Sequence, residues 1–316
     1  MSRALDVYLA DRKAGTLRQD DGGRLAFTYE ATYLTSADAR AISVSMPLRD
    51  EPLADEIARP YFSGLLPDER ARARLASALH ISEGNAFGLL EIIGGECAGA
   101  LSLFPKGQQP PKQEGADIEE LVPARLTDLL GKLRSRPLLG GEEGVRMSLA
   151  GAQDKLAVCV DGDVIGLARD GRPTTHILKP FITALEGSVE NELFCMRLAR
   201  KMKIAAPKVE MRSAGNISFI LVERYDRLRQ KQGGILRLHQ EDFCQALSVP
   251  PELKYESEGG TLQDMAEAIR THADEVIAEL RAEGITRHLL DAIRRIIESR
   301  ATLVLRATET QASADG

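Results

Sequence analysis

The sequence predicts an α+β fold with a β-rich N-terminal part, then an antiparallel sheet with one helix, then a helical C-terminal part. Three observations carry that expectation. Short runs alternating apolar and polar residues, at 4–9, 24–29, 156–160 and 164–168, are set off by Gly/Asp turn signals. A polar stretch with three prolines and two glycines, residues 105–117, breaks the composition once and reads as an exposed connection. From residue 261 onward the apolar residues recur at helical spacing. The predicted boundaries are a first domain over 1–106, a linker over 107–117, a second domain over 118–260, and terminal helices over 261–316.

In the first part, residues 4–9 and 24–29 read as the strands of a hairpin, with Asp20, Asp21, Gly22 and Gly23 as the turn signal between them. Residues 43–48 read as a short strand ended by Pro47. Pro67 suits the first turn of a helix, and Asp68 and Glu69 favour its positive start, so a helix is expected to about His80. Asn85 opens a shorter helix, and residues 98–104 form a strand among glycines.

In the second part, Leu121, Leu126, Leu129, Leu130 and Leu133 keep mostly to one face, which predicts a helix over 118–134. Residues 156–160 and 164–168 form a hairpin about Asp161, Gly162 and Asp163, and residues 175–180 a third strand ending at Pro180. Ser188 is read as the cap of a helix reaching about Lys203. Residues 209–212 and 217–223 form another hairpin. Strand, strand, strand, helix, strand, strand is the order of a protein-kinase small lobe. The terminal helices are predicted from Leu262, Met265, Ile269, Val276, Ile277 and Leu280, and from Leu289, Ile293, Ile296, Ile297 and Leu303.

Composition narrows the function classes. At 43% hydrophobic and 28% charged, 316 residues can build a sizeable core. A formal charge of −6 and the lack of Trp argue against a dedicated nucleic-acid binder, which presents a basic face and stacking aromatics. The basic clusters at 70–74, 197–203 and 224–231 fit solvated faces. Four dispersed cysteines without a C-x-x-C pair read as reduced thiols, and five scattered histidines suggest no zinc site. No apolar run is long enough to span a membrane and no export signal is recognisable, so a cytoplasmic protein without membrane contact is expected.

The chemistry concentrates at residues 144–155, Gly-Val-Arg-Met-Ser-Leu-Ala-Gly-Ala-Gln-Asp-Lys. Small residues let a backbone approach a bulky anion, and successive N–H groups can cradle phosphate oxygens. The stretch therefore reads as a phosphate-holding loop ahead of a strand.

Several motifs together resemble the HipA family of bacterial toxin kinases. They are the run 146–155, Thr-His-Ile-Leu-Lys-Pro at 175–180, Asn-Glu-x-x-Cys-x-x-Leu-Ala at 191–199, Val-Glu-Arg-Tyr-Asp-Arg at 222–227, and Arg-Leu-His-Gln-Glu-Asp-Phe-Cys-Gln-Ala-Leu at 237–247. Phe-Ser-Gly-Leu-Leu-Pro at 62–67 and Gly-Gly-Glu-Cys-Ala-Gly-Ala at 94–100 agree with it. The resemblance covers about residues 1–260. It implies an N-terminal subdomain, a kinase-like small lobe and an ATP-dependent serine/threonine kinase. Its partner would be a HipB-like DNA-binding antitoxin, with DNA reached only through that antitoxin. Its substrate would be a protein of translation such as an aminoacyl-tRNA synthetase.

Carried over residue by residue, the resemblance has Ala150, Gly151, Ala152, Gln153, Asp154 and Lys155 hold the ATP phosphates, with Lys179 on the α- and β-phosphates. Glu223, Arg224 and Tyr225 form the hinge that meets adenine, largely through backbone groups; a ring filling the core is the other reading of Tyr225. Glu192 is the candidate ion-pair partner of Lys179. Ser148 matches the serine that family members autophosphorylate, which ejects the loop and silences the kinase.

The family also implies Mg²⁺, held by an Asn-x-Asp-x-x-x-Lys-Asn-like segment and a later aspartate. Residues 226–316 contain neither, as if most of the large lobe were deleted, and no catalytic aspartate is assigned. Two readings follow: a HipA-like kinase, or a truncated pseudokinase that binds nucleotide, an antitoxin, or both. A non-kinase nucleotide enzyme using the same loop is a third.

Overall fold

The computed structural model describes residues 3–111, 118–201, 203–231 and 234–254, together with Arg295 and Glu298. The chain is an α+β protein whose Cα positions divide it into two compact units, Met1–Glu241 and Asp242–Gly316. The linker predicted at 107–117 falls within the first unit. The two terminal helices predicted after residue 261 lie outside the described residues.

The first sheet is a meander of β1 (Arg3–Leu9), β2 (Arg12–Gln19) and β3 (Leu25–Tyr29), closed on its other side by β4 (Leu101–Pro105) in the order β3-β2-β1-β4. The expected hairpin partners are thus not neighbours, because β2 lies between β1 and β3. Only Ala14 and Leu17 of β2 are apolar core residues, which hid this strand from a period-two search. The strand expected at 43–48 is instead a tight turn. Ser43 and Met46 bridge each other, the Ser43 and Ser45 hydroxyls pair at 2.7 Å, and Tyr29 Oη donates to Met46 O at 2.6 Å. Local side-chain bonding by serine competes with a ladder here.

Helices α1 (Ala31–Leu34), α2 (Asp55–Ser63) and α4 (Ala86–Ile93) pack on this sheet, and α3 (Glu69–Leu79) packs on the turn at Pro137–Leu139. Helix α2 was not foreseen, because Pro60 stands inside it. Helix α3 follows Pro67 and Asp68 and stops where His80 turns left-handed, at φ 55°. Asn85 caps α4 by accepting from Gly88 N at 3.0 Å.

The second sheet contains six antiparallel strands in the order β5-β7-β6-β8-β10-β9. They are β5 (Ile118–Glu120), β6 (Leu156–Asp161), β7 (Val164–Ala168), β8 (His176–Pro180), β9 (Val209–Ala214) and β10 (Ile217–Glu223). The helix expected over 118–134 is shorter. Its first three residues form the edge strand β5 against β7, and Pro123 starts α5 (Pro123–Lys132), where a missing N–H costs nothing. Helix α6 (Ser188–Lys201) packs on β9 and β10. Ser188 lies inside α6 rather than capping it, and its Oγ accepts from Ile182 N at 2.8 Å. A two-stranded ribbon follows, β11 (Arg227–Arg229) with β12 (Ile235–Arg237). In the second unit, Asp242 and Gln245 form a capping box on α7 (Phe243–Ala246).

One continuous core joins the two sheets. It runs from Leu5, Phe27, Phe62 and Leu90 through Leu139 and Met147 to Leu156, Leu178 and Phe219. A smaller cluster of Val189, Ile220 and Val222 lies under α6. Among the described residues no helix is long and apolar enough to cross a membrane.

Candidate functional site

The stretch 144–155 has no regular structure, yet it is fastened along its length. Its first half runs beside the turn after α4: Glu96 N donates to Arg146 O at 2.9 Å and Ser148 N donates to Glu96 O at 2.7 Å. Gly95 makes this approach possible, since a Cβ there would lie 2.7 Å from Arg146 Cβ. The Ser148 hydroxyl is enclosed and donates to Leu65 O at 2.7 Å. Further on, Gly151 bridges Pro67. The loop therefore lies against the N-terminal helical layer through the Phe62–Pro67 segment and the Gly94–Ala100 segment.

Its second half carries the charged groups. Lys155 is buried, and its ammonium donates to Ala150 O and Gly151 O, both at 2.9 Å. Gly151 sits at φ +106°, and a Cβ there would meet Lys155 Nζ at 2.8 Å, so a side chain would both strain the backbone and displace the lysine. Asp154 pairs with Arg74 of α3. Burial pushes the Asp154 carboxyl above its ordinary value, against the opposing charges of Arg74, Lys155 and Arg134. Gln153 Nε2 donates to Pro180 O at 3.2 Å, which sets the end of the loop beside the end of β8. Ala152 is exposed.

Lys179 lies on β8, paired in register with Ile220 of β10, one residue past the pairing of Leu178 with Leu156 of β6. Its Nζ lies 2.6 Å from Glu192 Oε1 on α6. Both side chains keep about a fifth of their surface open (22% each). The structure thus pairs Lys179 with Glu192 and sets Gln153 of the loop against Pro180, the residue after Lys179. Glu223 ends β10, opposite His176. The backbone amides of Glu223 and Arg224 donate to Lys208 O and Thr175 O, both at 2.9 Å. Tyr225 is 66% exposed and pairs with Gln240, so it does not fill the core. The Arg224 side chain does not face solvent. It is buried in an ionic network.

That network was not anticipated. Arg224 grips Asp226 with two bonds of 2.9 Å, Nε to Oδ1 and Nη2 to Oδ2. Glu96 Oε1 receives Thr174 N at 2.7 Å, Thr174 Oγ1 at 3.0 Å, Arg227 Nη2 at 3.1 Å and Arg224 Nη1 at 3.3 Å. Gly99 N donates to Asp226 Oδ2 at 2.8 Å. Burial works against ionising Asp226, but the hydrogen bond from Arg224 and the charges of both arginines outweigh it and hold the carboxyl below its usual range. Two carboxylates thus face Arg224 and Arg227 inside the protein, and the buried Arg237 adds a third guanidinium charge nearby. The signal was present in the glycine-rich run 94–100 and in 222–227, but their complementary charges stand about 130 residues apart in the chain.

Chemically, a loop of small residues and a carboxylate-steadied lysine suit a polyphosphate, while the Lys155 ammonium is turned onto its own loop. Among the described residues no three His, Cys, Asp or Glu side chains converge as metal ligands.

Comparison with known proteins follows the same division. The HipA N-terminal domain profile matches residues 5–104 and the HipA-like C-terminal domain profile matches residues 147–294. The chain is 45% identical over 276 residues to the protein Y4mE of Sinorhizobium fredii, assigned to the kinases by name alone, covering 85% of this chain and 65% of that protein. It is 28% identical over 267 residues to the serine/threonine-protein kinase toxin HipA of Shewanella oneidensis, covering 83% and 59%. A solved structure of Shewanella oneidensis HipA with HipB and its operator DNA aligns with a TM-score of 0.66 at 25% identity, covering 85% of this chain and 64% of that one. The chain thus spans slightly under two thirds of the length of these relatives.

Proposed function

This chain is a HipA-family protein, and on that premise we propose that it binds ATP as the nucleotide lobe of a serine/threonine kinase. The observation that carries the reading is the Lys179–Glu192 pair at 2.6 Å, on the strand whose last residue, Pro180, accepts from Gln153 of the loop. In a kinase small lobe, a strand lysine held by a helix carboxylate contacts the phosphates. Residues 150–155 would hold the outer phosphates. The backbone of Glu223 and Tyr225, with Arg224 between them, would meet adenine.

Ser148 would be the regulatory position. Its hydroxyl is enclosed, and a phosphate brings up to two negative charges that such a site cannot keep, so phosphorylation would expel the loop. The partner by this reading is a HipB-like antitoxin, with DNA reached only through it. The protein substrate would belong to translation, an aminoacyl-tRNA synthetase being the class the family implies. The setting would be the cytoplasm.

The second reading is a nucleotide-binding pseudokinase. The observation favouring it is that residues 226–316 contain no Asn-x-Asp-x-x-x-Lys-Asn-like segment. One experiment separates the two: incubate the chain with labelled ATP and Mg²⁺ and map the phosphate. Label on Ser148 that is lost in Lys179→Ala supports the kinase. Saturable ATP binding without transfer supports the pseudokinase. No melting shift at millimolar ATP overturns both, since a ligand that binds only the native state must stabilise it.

A further inference from the structure

We propose that Glu96, in the N-terminal half, is a positioning residue that couples the phosphate loop to the hinge. The proposal rests on the nucleotide reading above and adds a regulatory link within that site. Glu96 faces both ends at once. Its main chain holds the loop, donating to Arg146 O and accepting from Ser148 N. Its carboxylate holds the opposite end, where Oε1 takes Thr174 N and Oγ1 together with Arg224 and Arg227. Thr175, the next residue, receives the Arg224 amide through its carbonyl.

The pivot has little freedom. Glu96 is 1% exposed. On one side Gly95 lies against Arg146; on the other, a Cβ on Gly171 would come within 2.6 Å of Gly95 O. Close-packed elements of this kind shift between discrete arrangements rather than stretching. The carboxylate is also not placed for its own satisfaction. Oε2 is buried with no hydrogen-bond partner among the described residues, while Oε1 alone gathers four donors. A loop that leaves its seat removes both main-chain bonds from Glu96, and the carboxylate then no longer fixes Thr174 and Arg224. Loss of the phosphate loop thereby weakens the grip on adenine, although the two lie at opposite ends of the nucleotide.

The test is a double-mutant cycle on the full chain with adenosine, which has no phosphate for the loop to touch. Ser148→Glu displaces the loop and should lower adenosine affinity about tenfold, within the usual range of coupling between sites. Glu96→Gln should lower it similarly, and the double variant should be no weaker than either single one. Hydrogen exchange at the Arg224 amide, read without ligand, should quicken in both single variants. Additive losses, or Ser148→Glu with wild-type adenosine affinity and wild-type Arg224 exchange, would overturn the coupling. Should neither adenosine nor ATP bind the wild-type chain, the nucleotide reading is what fails, and exchange at Arg224 alone then decides the coupling. If Ser148→Glu does not fold, Glu96→Gln is read at both ends without ligand: exchange at the Arg224 amide and at the Ser148 amide, which Glu96 O accepts, should both quicken, and a change at Arg224 alone would overturn the coupling.

Discussion

Lys179 on β8 and Glu192 on α6 meet at 2.6 Å, thirteen residues apart in sequence and joined only by the packing of α6 on the sheet. Both remain partly open to water, so the pair contributes at most about 1 kcal/mol to stability. Its value lies in where it aims the lysine. Glu192→Ala should therefore leave the unfolding free energy within about 1 kcal/mol of wild type. The same variant should weaken ATP binding about tenfold, as read by calorimetry, with a tenfold change equal to about 1.4 kcal/mol. A large stability loss with unchanged ATP affinity would contradict this.

The loop serine gives a second prediction. Ser148→Ala leaves Leu65 O without its donor and should cost about 1–3 kcal/mol in denaturant unfolding. Ser148→Glu cannot place a charge in that enclosed space. It should expose residues 146–153 to limited proteolysis, while Ser148→Ala stays resistant.

Gly151 gives a third. At φ +106° with Lys155 Nζ 2.8 Å from the position of a Cβ, Gly151→Ala should cost about 1–3 kcal/mol and free the ammonium from its two carbonyls. Equilibrium unfolding measures the first effect. A faster amine-modification rate at Lys155 measures the second.

Acid should loosen the buried network. Asp226 is held below the ordinary carboxylate value, so it stabilises the folded chain above about pH 4. That contribution falls away as the pH drops through the lower, folded value. Asp226→Asn should cost about 3–5 kcal/mol at neutral pH, because it leaves Arg224 and Arg227 buried without this partner. Its stability should also decline less steeply than wild type below pH 4. Parallel acid limbs for the two proteins would contradict the assignment.

Much of the architecture was legible because it rests on local patterns. The hairpin of β6 and β7, the strand β8, the helix α6 and the hairpin of β9 and β10 each announce themselves by alternation, turn residues or helical spacing. The misreadings have specific causes. β2 carries too few apolar residues to show a period of two. Pro60 masks α2. The three residues of β5 look helical until β7 offers them a ladder. The serines at 43 and 45 satisfy each other instead of a neighbouring strand.

The candidate site divides in the same way. The small-residue loop was nameable from its residue types, and Lys179 and Glu192 were nameable through the family resemblance.

The sequence by itself determined the α+β class, the family resemblance, the small-lobe order and the group of residues that could hold a polyphosphate. The class and the strand order follow from turn residues and short-range periodicity, which are properties of neighbouring residues, and the family resemblance, with the site residues it implies, follows from contiguous motifs. Only the tertiary structure decided that Ser148 lies enclosed against Leu65, that Lys155 braces its own loop, and that Arg224 turns inward to Asp226 and Glu96. Buried charges and hydroxyls must find partners wherever packing brings donors and acceptors together, and no local pattern encodes a partner more than a hundred residues away.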